Sequence, residues 1–182
     1  MAAIPTLLYV NFTLFDRNCR PIEAHMSKTL YEGNLFADYF QIYLRDAAHP
    51  ELPDDGIDEV IARRIAVSPH AIIIHTARNM TVPVRVEWCD ERPALVLDAF
   101  QHVVETHFDC PSGELVLAGL TDYDPTAPRL PVKAGTLGVR VSMSGLDTIS
   151  EDGLEGDDQY TLKLWSGTEP TTVRILKSWP DK

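Results

Sequence analysis

Leu8, Val10, Phe12 and Leu14 alternate with Tyr9, Asn11 and Thr13, and Val82, Val84, Val86 and Trp88 alternate with Pro83, Arg85 and Glu87. A period of two is the period of an extended strand with one face toward a core, and it is incompatible with a helix. The same reading extends to Tyr39–Leu44, to "QHVVETHFD" (101–109), "GELVLAGL" (113–120), "GTLGVRVSM" (135–143), "QYTLKLW" (159–165) and "TTVRILK" (171–177). "AIIIHTA" (71–77) is apolar without alternation, as expected of a strand covered on both sides. Prolines and glycines separate most of these segments, among them Pro111, Gly113, Pro125, Pro128, Pro131, Gly135, Gly153 and Gly156. Many short strands punctuated by turns predict a mainly β chain, an antiparallel β-sandwich of jelly-roll or immunoglobulin-like type, rather than βαβ repeats. Pro83 cannot donate to a ladder, so its strand is expected at a sheet edge or with that position toward solvent.

One segment departs from the strand pattern. In "PDDGIDEVIARRIA" (53–66), Ile57, Val60, Ile61 and Ile65 recur at helical spacing, and Asp54 or Asp55 precedes them as a capping residue. A short amphipathic helix is therefore expected in the long connection between the Tyr39 and Ile72 strands, lying across one end or face of the sandwich.

The chain has 182 residues, enough for one sizeable core, and no repeat or flexible linker divides it, so residues 1–182 are read as one domain. With 27 acidic against 16 basic residues the formal charge is −11. That balance argues against a nucleic-acid or anionic-membrane surface, which needs clustered Lys and Arg, and suits attraction to a basic partner. The apolar run near the N-terminus has no preceding basic residue and is broken by Asn11 and Thr13, unlike a signal peptide or a membrane span. Cys19, Cys89 and Cys110 are odd in number and without CxxC spacing, so reduced thiols and a cytoplasmic location are expected.

Catalytic signatures are absent from the sequence. No GxSxG elbow and no glycine-rich phosphate loop occurs, and no cofactor is expected. His70 with His75, and His102 with His107, are five residues apart, an offset that sends the two side chains of a strand to opposite faces. Glu105, His107 and Asp109 share one face of their strand and read as the solvated side of an amphipathic strand.

The segment Asp147–Asp158 holds six carboxylates (Asp147, Glu151, Asp152, Glu155, Asp157 and Asp158) and no Lys or Arg. An EF-hand is excluded: counted from Asp147, the third position is Ile149 and the sixth is Asp152 where glycine is required. Crowded acids on a turn lack the apolar pocket that raises a catalytic carboxyl's pKa. Like charges held together cost stability, and a cationic partner relieves that cost.

Four stretches resemble the competence protein J family, small inhibitors that bind and silence the competence nuclease of bacilli. They are "YVNFTLFDRNCRPIEA" (9–24), "YEGNLFADYFQIYL" (31–44), "AIIIHTARNMTVPVRVEW" (71–88) and "FDCPSGELVLAG" (108–119), in the family's order. The insertion around 46–69 and most of the chain after Leu120, which includes the acidic segment, have no counterpart in that pattern. The resemblance implies a non-enzymatic binding protein of the inhibitor or immunity type. The expectation is a protein that neutralises a basic nuclease or toxin, with the six acids of 147–158 as its partner-binding residues. The alternative is a sandwich module in which the same acids hold calcium or a small ligand.

Overall fold

The computed structural model describes residues 27–54, 58–122, 124–169 and 172–179. The strand expected at Leu8–Leu14, the first stretch of the family resemblance, Cys19 and the capping residue Asp55 lie outside the described residues. Eleven strands are described: β1 (Ser27–Phe36), β2 (Gln41–Asp46), β3 (Ile65–Ser68), β4 (Ala71–His75), β5 (Thr81–Cys89), β6 (His102–Cys110), β7 (Glu114–Gly119), β8 (Arg129–Pro131), β9 (Gly135–Ser144), β10 (Gln159–Ser166) and β11 (Arg174–Lys177). They form a six-stranded sheet in the order β1-β5-β10-β9-β6-β11 and a five-stranded sheet in the order β3-β4-β2-β7-β8. All neighbours pair antiparallel except β5 and β10, which run parallel, so the larger sheet is mixed rather than strictly antiparallel.

The alternation seen in the sequence sets the core. Val82, Val84 and Val86 of β5, Leu162 and Leu164 of β10, Val139 and Val141 of β9 and Phe108 of β6 face Ile42, Leu44, Ile72, Ile74, Leu115 and Leu117 of the smaller sheet. The opposite face of the smaller sheet is also covered: Tyr43, Ala66, Ile73, Val116 and Ala118 pack with Val60 and Ala127. This second layer explains why β4 is buried at every position, as its unbroken apolar run predicts.

Three local expectations change. The helix, α1, spans only Asp58–Arg63, because Arg64 takes a positive φ of 56° and ends it. Ile65 then opens β3, where it pairs with Ile74; a β-branched run supports strand pairing better than another helical turn. α1 does lie on a sheet face, through Val60. The Tyr39 strand begins two residues late, at Gln41, since Tyr39 and Phe40 form a turn with positive φ. Finally, of the two placements expected for Pro83 the edge does not hold, since β5 lies between β1 and β10, whereas the solvent-facing position does, Pro83 being exposed. Pro83 is tolerated because it sits near the start of β5, opposite Asn34 of β1, one residue before the β10 pairing begins at Val84.

Candidate functional site

The acidic segment forms the connection from β9 to β10, and its ends are fixed differently from its middle. Leu146–Thr148 makes one 3-10 turn after Gly145, whose φ of 70° lets the chain fold back beside Asp157. Gln101 clamps this turn, its Oε1 accepting from the Leu146 amide at 3.3 Å and its Nε2 donating to Asp147 Oδ2 at 3.1 Å. Asp147 Oδ1 accepts from Trp179 Nε1 at 2.9 Å, and the Trp179 ring lies under the Arg64 guanidinium at 5.0 Å. At the far end Asp158 is buried. Its Oδ1 accepts from Arg78 Nε at 2.5 Å and its Oδ2 from the Tyr160 hydroxyl at 2.8 Å. Arg78 also donates to the Leu154 carbonyl at 3.1 Å, and the Tyr160 hydroxyl accepts from the Ala77 amide at 2.7 Å. Burial in the first place, and the Asp158 charge in the second, push the Tyr160 phenol far above its ordinary pKa, so it stays a donor.

Between these anchors the loop organises itself. Ser150 and Asp152 close a tight bend: the Ser150 hydroxyl donates to Asp152 Oδ1 at 2.6 Å, and the Leu154 amide donates to the same oxygen at 3.1 Å. The Ser150 hydrogen bond, and then that amide, hold the Asp152 carboxyl below its ordinary value. The Glu155 amide donates to Ser150 Oγ and the Asp157 amide to Thr148 Oγ1. Glu151, Asp152, Glu155 and Asp157 are exposed, as is Asp147.

The six expected residues therefore divide. Five are exposed, and Asp158 is a buried counter-ion that ties the loop to the turn after β4; it has no surface to offer a partner. The sequence marks this poorly, since Asp158 and Asp157 look alike until strand parity is applied. Asp158 lies two residues before Tyr160, on the inward-facing parity of β10. Arg78, Tyr160 and Trp179, which hold the loop in place, carried no sequence signal of that role. Among the described residues no three His, Cys, Asp or Glu side chains are grouped to hold a metal ion.

The face carrying Glu105, His107 and Asp109 is not solvated as its pattern suggests. Only Asp109 is exposed, accepting from Thr136 Oγ1 at 2.7 Å. Glu105 is fully buried and is met by Arg140 at 2.6 Å, Arg92 at 2.6 Å and Arg174 at 3.3 Å. Arg140 also donates to the carbonyls of Pro93 and Ala94, drawing that segment over the sheet. His107 packs in a T-shaped contact with Trp165, with ring centroids 6.1 Å apart, and burial lowers its pKa. Elsewhere, His49 and His70 stack with ring centroids 3.9 Å apart. His49 Nδ1 is 2.9 Å from Asp46, a buried carboxylate that also accepts from the Ser112 amide and hydroxyl. Burial raises the pKa of Asp46, but these hydrogen bonds outweigh it and hold the carboxyl well below the usual range. Burial, and the neighbouring Asp46, push the Cys110 thiol up to about 12, which leaves it a packing residue rather than a nucleophile.

No protein-family model and no curated protein matches the chain. Two solved structures share its fold. Crocagin biosynthetic gene J aligns with a TM-score of 0.51 at 18% identity, over 77% of this chain and 97% of that one. ComJ from Bacillus subtilis, inhibitor of the DNA degrading activity of NucA, aligns with a TM-score of 0.62 at 15% identity. The ComJ match covers 78% of this chain, more than the stretch from Tyr9 to Gly119 that carries the sequence resemblance, so the shared architecture takes in residues outside that stretch. It also covers 99% of ComJ, so nearly the whole of that fold is present in this chain, with further residues added to it.

Proposed function

We propose that the chain is a non-catalytic binding protein that neutralises a basic, DNA-degrading nuclease or a toxin of similar charge. The observation that carries this reading is the fold: nearly the whole of ComJ, which inhibits a nuclease, is superimposable on this chain. Electrostatics supports it from a separate direction. A nuclease approaches phosphates with a basic groove, and a chain of charge −11 with an exposed acidic loop is drawn toward such a groove and competes with its substrate. Glu151, Asp152, Glu155 and Asp157, with Asp147 at the loop's root, supply the steering charges; Asp158 holds the loop in position from inside.

The test is inhibition of DNA cleavage by a basic nuclease encoded in the same genome. Cleavage is expected to fall linearly as the chain is added and to cease near equimolar ratio. Undiminished cleavage at tenfold excess, together with no basic protein retained on the immobilised chain, removes the reading.

A further inference from the structure

Among the described residues, three other than glycine have a positive φ: Tyr39 (54°), Phe40 (61°) and Arg64 (56°). Bulky residues adopt this region only where the surrounding structure imposes it. All three line one cleft of about 420 Å³, with Ile61, His75 and Ala77. The turn between β1 and β2 throws two aromatic rings outward, leaving Tyr39 67% and Phe40 46% exposed, and Ile61 of α1 is 49% exposed beside them. This is an ordered display. The Phe40 amide donates to Ala37 O at 3.0 Å, Phe40 O accepts from the Thr76 amide at 2.8 Å, and the Ala37 amide donates to Met80 O at 3.0 Å. Exposed aromatic side chains on a fixed backbone around a concavity are the usual makings of a binding hot spot.

The cleft is joined to the acidic loop on two sides. On one wall, Arg64 lies over Trp179, which donates to Asp147 at the loop's start. On another, the Ala77 amide donates to Tyr160, which donates to Asp158 at the loop's end. Further acids, the partly buried Asp38 beside Tyr39 and the exposed Asp58 and Glu59 in the first turn of α1, add to the negative rim. The nearby cations are turned to internal duties: Arg64 is buried against Trp179, and Arg63 donates to Ile65 O at 2.9 Å. An apolar seat framed by acids is complementary to an apolar knob framed by bases.

We propose that this cleft seats an apolar or aromatic side chain that a basic partner protein presents among lysines or arginines. The proposal rests on the reading of the partner as basic and adds the anchor that charge alone does not supply: acids on the rim govern the rate of encounter, and a filled cleft governs residence time.

Two synthetic peptides of equal charge, Lys-Lys-Phe-Leu-Lys-Lys and Lys-Lys-Ser-Ser-Lys-Lys, separate the two contributions when titrated into the isotopically labelled chain. The aromatic peptide is expected to shift the amides of Tyr39, Ile61 and Ala77 as well as those of Glu155 and Asp157. The serine peptide shifts only the loop and binds at least fivefold more weakly. Ile61→Ser, at a half-exposed position that leaves the core intact, brings the aromatic peptide down to the affinity of the serine peptide and leaves the latter unchanged. Equal affinity of the two peptides, shifts confined to the loop, or an Ile61→Ser chain that binds as before overturns the proposal. A chain that sediments as a dimer and becomes monomeric on Ile61→Ser also overturns it, since the occupant is then a second copy. The peptides contain no nuclease, so failure here leaves the inhibitor reading standing, and failure of nuclease inhibition leaves the cleft standing.

Discussion

Three guanidinium groups surround Glu105, a carboxylate with no exposed surface in the middle of β6. Burial raises its pKa, but hydrogen bonds from Arg92 and Arg140, with the charges behind them, reverse the effect and leave it lowered. The folded value therefore lies below the unfolded one, and the stability from this cluster is fully present above the ordinary carboxylate range. It is lost as pH falls through the depressed folded value. Glu105→Gln leaves the buried Arg140 without its counter-charge and is expected to cost about 3 kcal/mol at neutral pH. Denaturant melts across pH check this: the gap between native and E105Q chains narrows as pH falls below the ordinary carboxylate range and closes as the native carboxyl takes up its proton. A gap unchanged by acid would mean that shape rather than charge holds the residue. The same face shows why substitution there is costly in another way. A Cβ on Gly138 would stand 2.2 Å from Trp165 Cε2, so the indole has its place only because residue 138 has no side chain.

At the scale of elements, the β9–β10 connection is a loop fastened at both ends, and its two kinds of fastening predict different costs. Arg78→Met strands the Asp158 carboxylate in a buried site and is expected to destabilise the chain by about 3 kcal/mol. Tyr160→Phe removes one hydroxyl, with its bonds to Asp158 and Ala77, and costs about 1–2 kcal/mol. Equilibrium unfolding measures both, and amide exchange from Ser150 to Asp157 should quicken far more in R78M than in Y160F. Equal costs would show that the ion pair contributes no more than a neutral hydrogen bond. Elements of this fold were legible wherever one face was apolar and the other polar, as in β5, β9 and β10. They were hidden where something else covers the polar face. Arg140 and Glu105 alternate correctly with Val139 and Val104, but their pairing under residues 93 and 94 turns a polar pattern into buried surface. β1 escaped notice because Glu32, Gly33 and Asn34 interrupt any alternation; its ten residues are held by pairing with β5 across a bulge between Thr29 and Tyr31. The acidic loop was legible as a feature through its composition, whereas the cleft beside it was not. Its residues come from the β1–β2 turn, α1 and β4, and only the fold brings them together.

For the whole molecule, charge and fold make separate contributions to binding. Twenty-seven acids against sixteen bases give a field that reaches beyond any one contact, and the exposed acids of residues 147–157 concentrate it at one end of the sandwich. Such a field acts mainly on encounter with a basic partner, and salt shortens its reach to about 8 Å at physiological ionic strength. Association with a basic nuclease is therefore expected to slow by about tenfold or more between about 20 and 200 mM salt, while dissociation changes by less than about threefold. Neutralising Glu151, Glu155 and Asp157 together, none of which the fold uses as a side-chain anchor, should flatten that salt dependence and leave the melting temperature within a few degrees of native. Stopped-flow association at several salt concentrations reads the first effect, and a thermal melt the second. An association rate indifferent to salt in the native chain would remove steering from the mechanism and leave recognition to shape alone. A salt dependence that survives the triple substitution would move the steering charges away from this loop to the acids around α1 and Asp38.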